Sequence, residues 1–214
     1  MPRTLIGLDA LDFVKEYFPV VRSKVFSNEA EVVSHCKRFP VILKLSSEKL
    51  VHKTEADAVV KVVNKKHLLQ TIHDFKRIAK KLKAKSFGFL VQDLVSGVEL
   101  LLGIKNDVSF GHVVVFGVGG VFVELFKDIQ FRVVPLTKKD AEDMISQLKN
   151  KSLLEGFRNL PRVNKDALIQ SILAASRLAV DHPEIKELDI NPLICNNAAC
   201  KAVDVRIVLD ENLD

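Results

Sequence analysis

Apolar and polar residues follow two different periods along this chain, and stretches of one period are succeeded by stretches of the other. Residues 41–45 and 58–63 read as strands joined by a polar connection. Helical spacing comes next. Leu68, Leu69, Ile72, Phe75, Ile78, Ala79 and Leu82 fall on one face, while Lys76, Arg77, Lys80, Lys81 and Lys83 form a solvated opposite face. Strand-like runs return at 87–94, 98–104 and 113–116, with Asn106-Asp107 as the expected turn between the last two. Glycines at 117–120 interrupt the pattern and 129–134 resumes it. Two helices are then expected, one with Ala141, Met144, Ile145 and Leu148 inward, the other with Leu168, Ile169, Ile172, Leu173 and Leu178. Thr137, three residues before Asp140, is placed to cap the first of these. Strands at 187–195 and 201–209 close the chain. The pattern therefore predicts an α+β protein, two sheets with helices packed outside them.

Composition narrows this further. The chain has 214 residues, 48% apolar and 28% charged, which excludes a disordered or collagenous protein and leaves room for one domain or two apposed lobes. Lys and Arg number 32 against 27 Asp and Glu. A net charge of +5 suits a polyanionic small molecule, but no basic motif interleaved with aromatics accompanies it and Trp is absent, so nucleic acid is not expected. The longest apolar stretch, 113–123, holds 11 residues broken by three glycines, against about 20 for a membrane helix. Asp9, Asp12, Lys15 and Glu16 stand where a signal peptide would need an apolar core, so a soluble, cytoplasmic protein is expected. Of three cysteines, Cys36 stands alone; Cys195 and Cys200 flank the turn Asn196-Asn197 and are expected as reduced residues on adjacent strands.

Four places look costly for a chain that only had to fold. Lys44 lies inside an apolar strand, where an ammonium needs an anion unless it snorkels to the surface. His52, in Leu50-Val-His-Lys-Thr54, is nucleophilic near neutral pH and sits in a loop, although a histidine there also serves as simple hydrogen-bonded structure. Phe116-Gly-Val-Gly-Gly-Val-Phe-Val-Glu124 could bring backbone N–H groups close to an anion, or could be a bulge or tight turn. Finally, Glu187, Asp189 and Asn191 point one way from their strand, and Asp204 and Arg206 can face them from the next. Oxygen ligands of this kind suit Mg²⁺; a solvated face with a cross-strand ion pair has the same pattern.

Taken in order, VILKLSS, LVHKTEA, FGHVVVFGVGGVFVELFKDIQFRVVPLT, ELDINPLI and AVDVRIVL resemble the ATP-grasp β subunit of ADP-forming acyl-CoA synthetases, the acetate–CoA ligase type. The resemblance covers about residues 11–209 and is distantly similar to the β chain of succinyl-CoA synthetase. It implies a single ATP-grasp domain over 1–214, with an N-terminal lobe at about 1–93 and a C-terminal lobe at about 94–214. Each lobe would carry an antiparallel or mixed sheet, with the nucleotide between the lobes. It implies the reaction acyl-CoA + ADP + phosphate ⇌ acid + CoA + ATP, run only with a separate CoA-binding α subunit, as an α2β2 heterotetramer. His52 then matches a mobile-loop histidine that carries the phosphoryl group to ADP, and Asp189 an acid that orients it. Lys44 matches the lysine that reaches the nucleotide phosphates. Gln92, Leu94 and Val95 match the segment that reads adenine, Glu99 the ribose carboxylate, and Asn191 and Asp204 the Mg²⁺ ligands. One departure is that Glu55-Ala-Asp57-Ala58 stands where many ATP-grasp proteins have glycines over the triphosphate, and Asp57 would repel phosphates. The alternative is a non-catalytic ATP-grasp module kept for nucleotide-dependent regulation or as a scaffold; the presence of His52, Asp189, Asn191 and Asp204 weighs against it.

Overall fold

The computed structural model describes residues 2–47, 58–119, 128–156 and 160–210. Contacts divide the chain into two compact units, Val21–Val95 and a larger one made of Met1–Val20 with Ser96–Asp214. The sequence expectation grouped the first 20 residues with the N-terminal lobe; their contacts place them in the larger unit.

In the smaller unit the strands are β2 (Ser23–Phe26), β3 (Val41–Ser46), β4 (Val59–Val62) and β5 (Gly88–Asp93), and the helices α2 (Glu29–His35) and α3 (Lys65–Lys81). The sheet is antiparallel throughout, in the order β2-β5-β3-β4. Val41, Leu43 and Leu45 alternate inward with Phe89 and Val91 and meet Leu68, Ile72, Phe75 and Ala79 of α3 in one core. Both helices start where an asparagine accepts the N–H three residues on, Asn28 from Glu31 at 3.0 Å and Asn64 from His67 at 2.9 Å.

The larger unit is a seven-stranded sheet in the order β1-β11-β9-β6-β7-β8, with β10 paired to β9. Its strands are β1 (Arg3–Ile6), β6 (Val98–Asp107), β7 (Gly111–Val118), β8 (Ile129–Val133), β9 (Ile185–Cys195), β10 (Cys200–Ala202) and β11 (Val205–Leu209). β1 pairs antiparallel with β11, which is what draws the N-terminus into this unit. One sheet face buries Leu102, Ile104, Val114, Phe116, Leu188, Ile190 and Ile207 under α1 (Leu8–Val14), α4 (Lys138–Ser146) and α5 (Lys165–Asp181). The expected cap is present as a full capping box, with Thr137 Oγ1 accepting from Asp140 N and an Asp140 carboxylate oxygen from Thr137 N. Among the described residues no helix is long and apolar enough to cross a membrane.

Four expectations are corrected. Asn106-Asp107 is not the turn, because both residues still pair with His112 and Gly111. The turn lies beyond them: Asp107 Oδ1 accepts from Ser109 N and Phe110 N at 2.9 and 3.2 Å, and Gly111 closes it with φ of 70°. β7 continues through Gly117 instead of breaking there. A Cβ at Gly117 would stand 2.5 Å from Asp128 O, so the glycine permits close approach of β8. The last strand is split, since Val203 and Asp204 leave the ladder to bond with Pro192 and Asn191. Cys195 and Cys200 are joined in a disulfide and not reduced; they are directly opposed across the β9–β10 hairpin with Cα atoms 4.0 Å apart. Cys36 is free and buried.

That hairpin also holds both places where the chain leaves the larger unit. Ala202 N donates to Pro19 O at 2.9 Å and Asn196 Nδ2 to Ser96 O at 3.0 Å.

Asp128, 3% exposed, ties the start of β8 to the segment after α4. It accepts from Lys149 N at 2.9 Å, Asn150 N at 2.8 Å and Asn150 Nδ2 at 3.1 Å. Burial works to raise its pKa, but these donors more than offset it and hold the carboxyl below its ordinary value. A depressed folded pKa contributes stability above the unfolded value near about 3.9 and loses it as pH falls through the folded value. Asp128→Ala should therefore cost roughly 2–3 kcal/mol in urea unfolding at pH 7. The gap between variant and parent should close as the pH is lowered below about 4. A gap that persists in acid would show that the charged form is not what the three donors stabilise.

Candidate functional site

The candidate residues fall on one face of each sheet. On β3 Lys44 pairs with Val59 and Leu90, and Ile42 pairs with Gln92, so Lys44 and Gln92 share the face turned away from the α2–α3 core. Lys44 is 3% exposed, which removes the snorkelling alternative. Gln92 is buried as well, and its Nε2 donates to Ser23 Oγ at 3.0 Å. Leu94 and Val95 follow β5 in irregular backbone, both half-buried. Glu99 is exposed near the start of β6, opposite Ile194.

In the larger unit the acids converge on the face opposite the core. Asp189 is flanked by Gly103 of β6 and Arg206 of β11. A Cβ at Gly103 would lie 2.8 Å from Leu188 O, so glycine there lets β6 and β9 approach closely beside the carboxylate. Arg206 Nη1 donates to Glu187 Oε1 at 3.2 Å, while its buried Nε has no hydrogen-bond partner among the described residues. Asn191 N donates to Asp204 O at 3.1 Å, and the split between β10 and β11 at this point sets Asp204 next to Asn191. Burial pushes the Asp189 carboxyl above its ordinary value, Glu187 adds to the rise, Arg206 opposes it and Asp204 adds again.

Net negative charge thus collects beside Asn191 and Asp204, whose backbones are joined by that hydrogen bond and which offer one amide oxygen and one carboxylate. Two protein oxygens with room for water and phosphate oxygens fit the way Mg²⁺ is held. Among the described residues no group of three or more His, Cys, Asp or Glu is placed to hold a metal ion by itself. The central glycines do not serve an anion as far as they are described: Gly119 N donates to Glu99 O at 2.8 Å, and its Cβ position is filled by the β6 backbone. His52, Glu55, Asp57 and residues 120–124 lie outside the described residues; Ala58 is buried beside β3.

The ATP-grasp domain family matches residues 3–209. The chain belongs to that family. It is 36% identical over 214 residues to the acetate–CoA ligase (ADP-forming) I subunit beta of Pyrococcus furiosus, covering 97% of this chain and 92% of that protein. Among solved structures it superimposes with a TM-score of 0.91 on a Ca. Korarchaeum cryptofilum dinucleotide-forming acetyl-coenzyme A synthetase 1 in complex with coenzyme A, Ca-AMPCP and HgCl⁺. The identity there is 37%, over 97% of this chain and 94% of that one. A second structure of that synthetase holds coenzyme A and Mg-AMPPCP, with its phosphohistidine segment pointing towards the nucleotide-binding site. It matches with a TM-score of 0.81 and 36% identity, over 97% and 93% of the two chains.

Within this ATP-grasp chain, sequence reasoning missed the contribution of Gly103 and the concentration of basic charge in the smaller unit. The second had a readable signal: residues 21–95 hold 16 Lys and Arg against 7 Asp and Glu, whereas the rest of the chain holds 16 against 20.

An acid whose folded pKa is raised is penalised once the pH exceeds its unfolded value, and the penalty is absent in acid where both states are protonated. In chelator-treated protein, Asp189→Asn should therefore raise the thermal midpoint at pH 7 by a few degrees, the size that roughly 1 kcal/mol brings in a chain of this length. That advantage should vanish below about pH 4. A destabilised variant at pH 7 would mean that Asp189 is held by favourable contacts and carries no strain.

Proposed function

We propose that this chain is the nucleotide-binding β subunit of an ADP-forming acid–CoA ligase, active with a separate CoA-binding α subunit in an α2β2 assembly in the cytoplasm. The observation that carries this reading is the near end-to-end correspondence with a free-standing β subunit, 97% of one chain against 92% of the other. Acid, CoA and ATP are formed from acyl-CoA, ADP and phosphate, and the acyl chemistry takes place on the partner.

The side chains take the following parts. Lys44 supplies a point charge to the nucleotide phosphates, and its burial makes that charge stronger than it would be in water. Gln92, Leu94 and Val95 read the adenine, and Glu99 meets the ribose. Asn191 and Asp204 hold Mg²⁺, which when bound neutralises phosphate oxygens and screens them from Asp189. Arg206, which donates to Glu187 and stands opposite Asp189 in the ladder, is suited to keep both carboxylates in place. His52 takes the phosphoryl group from the α subunit: a ring nitrogen forms the N–P bond as the bond to the donor breaks. A terminal phosphate oxygen of ADP then takes the group and the imidazole is regenerated. Asp189 accepts from the other ring nitrogen and fixes the tautomer. A covalent carrier keeps the phosphoryl group from water during the transfer.

Incubation with Mg²⁺ and γ-labelled ATP should place on this chain a label that is lost in acid and survives base. The label should be absent from His52→Ala. Turnover dependent on acid and CoA should require the α subunit, and Asp204→Asn should weaken Mg²⁺-dependent ADP binding about tenfold or more. Full turnover by His52→Ala with the α subunit would overturn the relay, and synthetase activity from this chain alone would overturn the subunit assignment.

A further inference from the structure

On the core side of the smaller sheet, the C-terminal end of α2 overhangs β2 and the adjoining ends of β3 and β5, leaving a cavity of about 440 Å³. Its floor is apolar, made by buried Val41, Val91 and Cys36. Its rim is basic: Arg22 and Lys24 come from the β2 side, Lys37 and Arg38 from the segment after α2, and Asp93 is the one acid. Among the described residues none of these four cations forms an ion pair, although exposed cations elsewhere do, as in Lys76–Glu29, Lys139–Asp143 and Lys186–Asp210. Phe26 sets the orientation of two rim groups, with Lys24 Nζ 5.2 Å from its ring centroid and the His35 ring at 4.8 Å.

Four cations and one acid around one hollow leave an excess of positive charge, and the cations repel each other unless an anion joins them. The charge excess of residues 21–95 strengthens the field at this point. Two guanidinium groups offer planar forks to phosphate oxygens and two ammonium groups add point charges. Ser23 also lines the cavity, but its hydroxyl is already engaged by Val21 O and Gln92 Nε2, so the apolar floor suits an organic body better than a bare inorganic ion, and the volume falls in the range of small-ligand pockets. Successive strand residues face opposite ways, so Val41 and Val91 look away from the face that carries Lys44 and Gln92.

We propose that this cavity is a second anion site, for an organic phosphate with at least two phosphate charges on an apolar body, separate from the Lys44 face. It does not depend on the phosphohistidine relay, and failure of either leaves the other standing. The test titrates the full chain with adenosine 3′,5′-bisphosphate and, separately, with inorganic pyrophosphate. The readouts are the His35 ring and Cys36 amide resonances, repeated in Arg22→Gln/Arg38→Gln. The expected result is saturable shifts, tighter for the bisphosphate, and weakened about tenfold or more in the double variant, equivalent to about 1.4 kcal/mol. ADP-induced shifts at the Gln92 amide should be the same in both proteins, which shows that the variant is folded and its other face intact. Absence of saturable shifts at His35, or equal affinity in the double variant, overturns the site. Pyrophosphate binding as tight as the bisphosphate overturns the organic body.

Discussion

Strand β9 is hydrogen-bonded to β6 on one side and to β10 and β11 on the other, so each of its residues is committed to one of two faces. Leu188 and Ile190 go into the core with no exposure above 1%. The residues that alternate with them have nowhere to go but the opposite face, and there they are Glu187, Asp189 and Asn191. A one-residue slip in register would bury three polar side chains and expose the apolar set, so the core enforces the geometry of the acids. Arg206 is placed opposite Asp189 by the same ladder, and Asp204, just outside it, is brought to Asn191 by the bond from Asn191 N to Asp204 O. Stability and site are thus two consequences of one alternation.

How much of this is visible in the sequence depends on how long a pattern persists. β3, α3, α5 and β9 are long or strongly periodic, and their residues declare both the element and its buried face. β1, α1, β2 and α2 are four to seven residues each, too short for a period to stand out from its surroundings, so the pattern predicts no element before residue 40. Their structure is set by tertiary pairing, as in β1 against β11. The disulfide shows a different limit: a spacing of five residues is compatible with two thiols or a bond, and only the opposed register of Cys195 and Cys200 decides.

The candidate site divides in the same way. Lys44 was legible as an oddity, a cation amid apolar residues, but its burial had to come from the packing of the sheet. The carboxylate cluster was legible because period two is unambiguous in ELDINPL. Gly103 was not, because the room it makes is defined by Leu188 O on a strand some 85 positions away in sequence. The roles proposed for His52, Lys44, Asn191 and Asp204 rest on family resemblance, while composition supplied only the expectation of an anionic small-molecule partner.

The hydrogen bonds from Ala202 to Pro19 and from Asn196 to Ser96 bring the two exits of the larger unit to one hairpin. In topological terms the smaller unit is an insertion, a self-contained core that interrupts the chain of its host between residues 20 and 96. During synthesis residues 21–95 emerge as a continuous segment and can collapse around their own core first. The host, by contrast, must hold its first strand unpaired until β11 appears some 200 residues later, because β1 has no other neighbour in the sheet. Early folding of the insert shortens that wait in space if not in sequence, since a compacted segment closes a much smaller loop than a free one. The order in which the two units mature is therefore written into the way one interrupts the other.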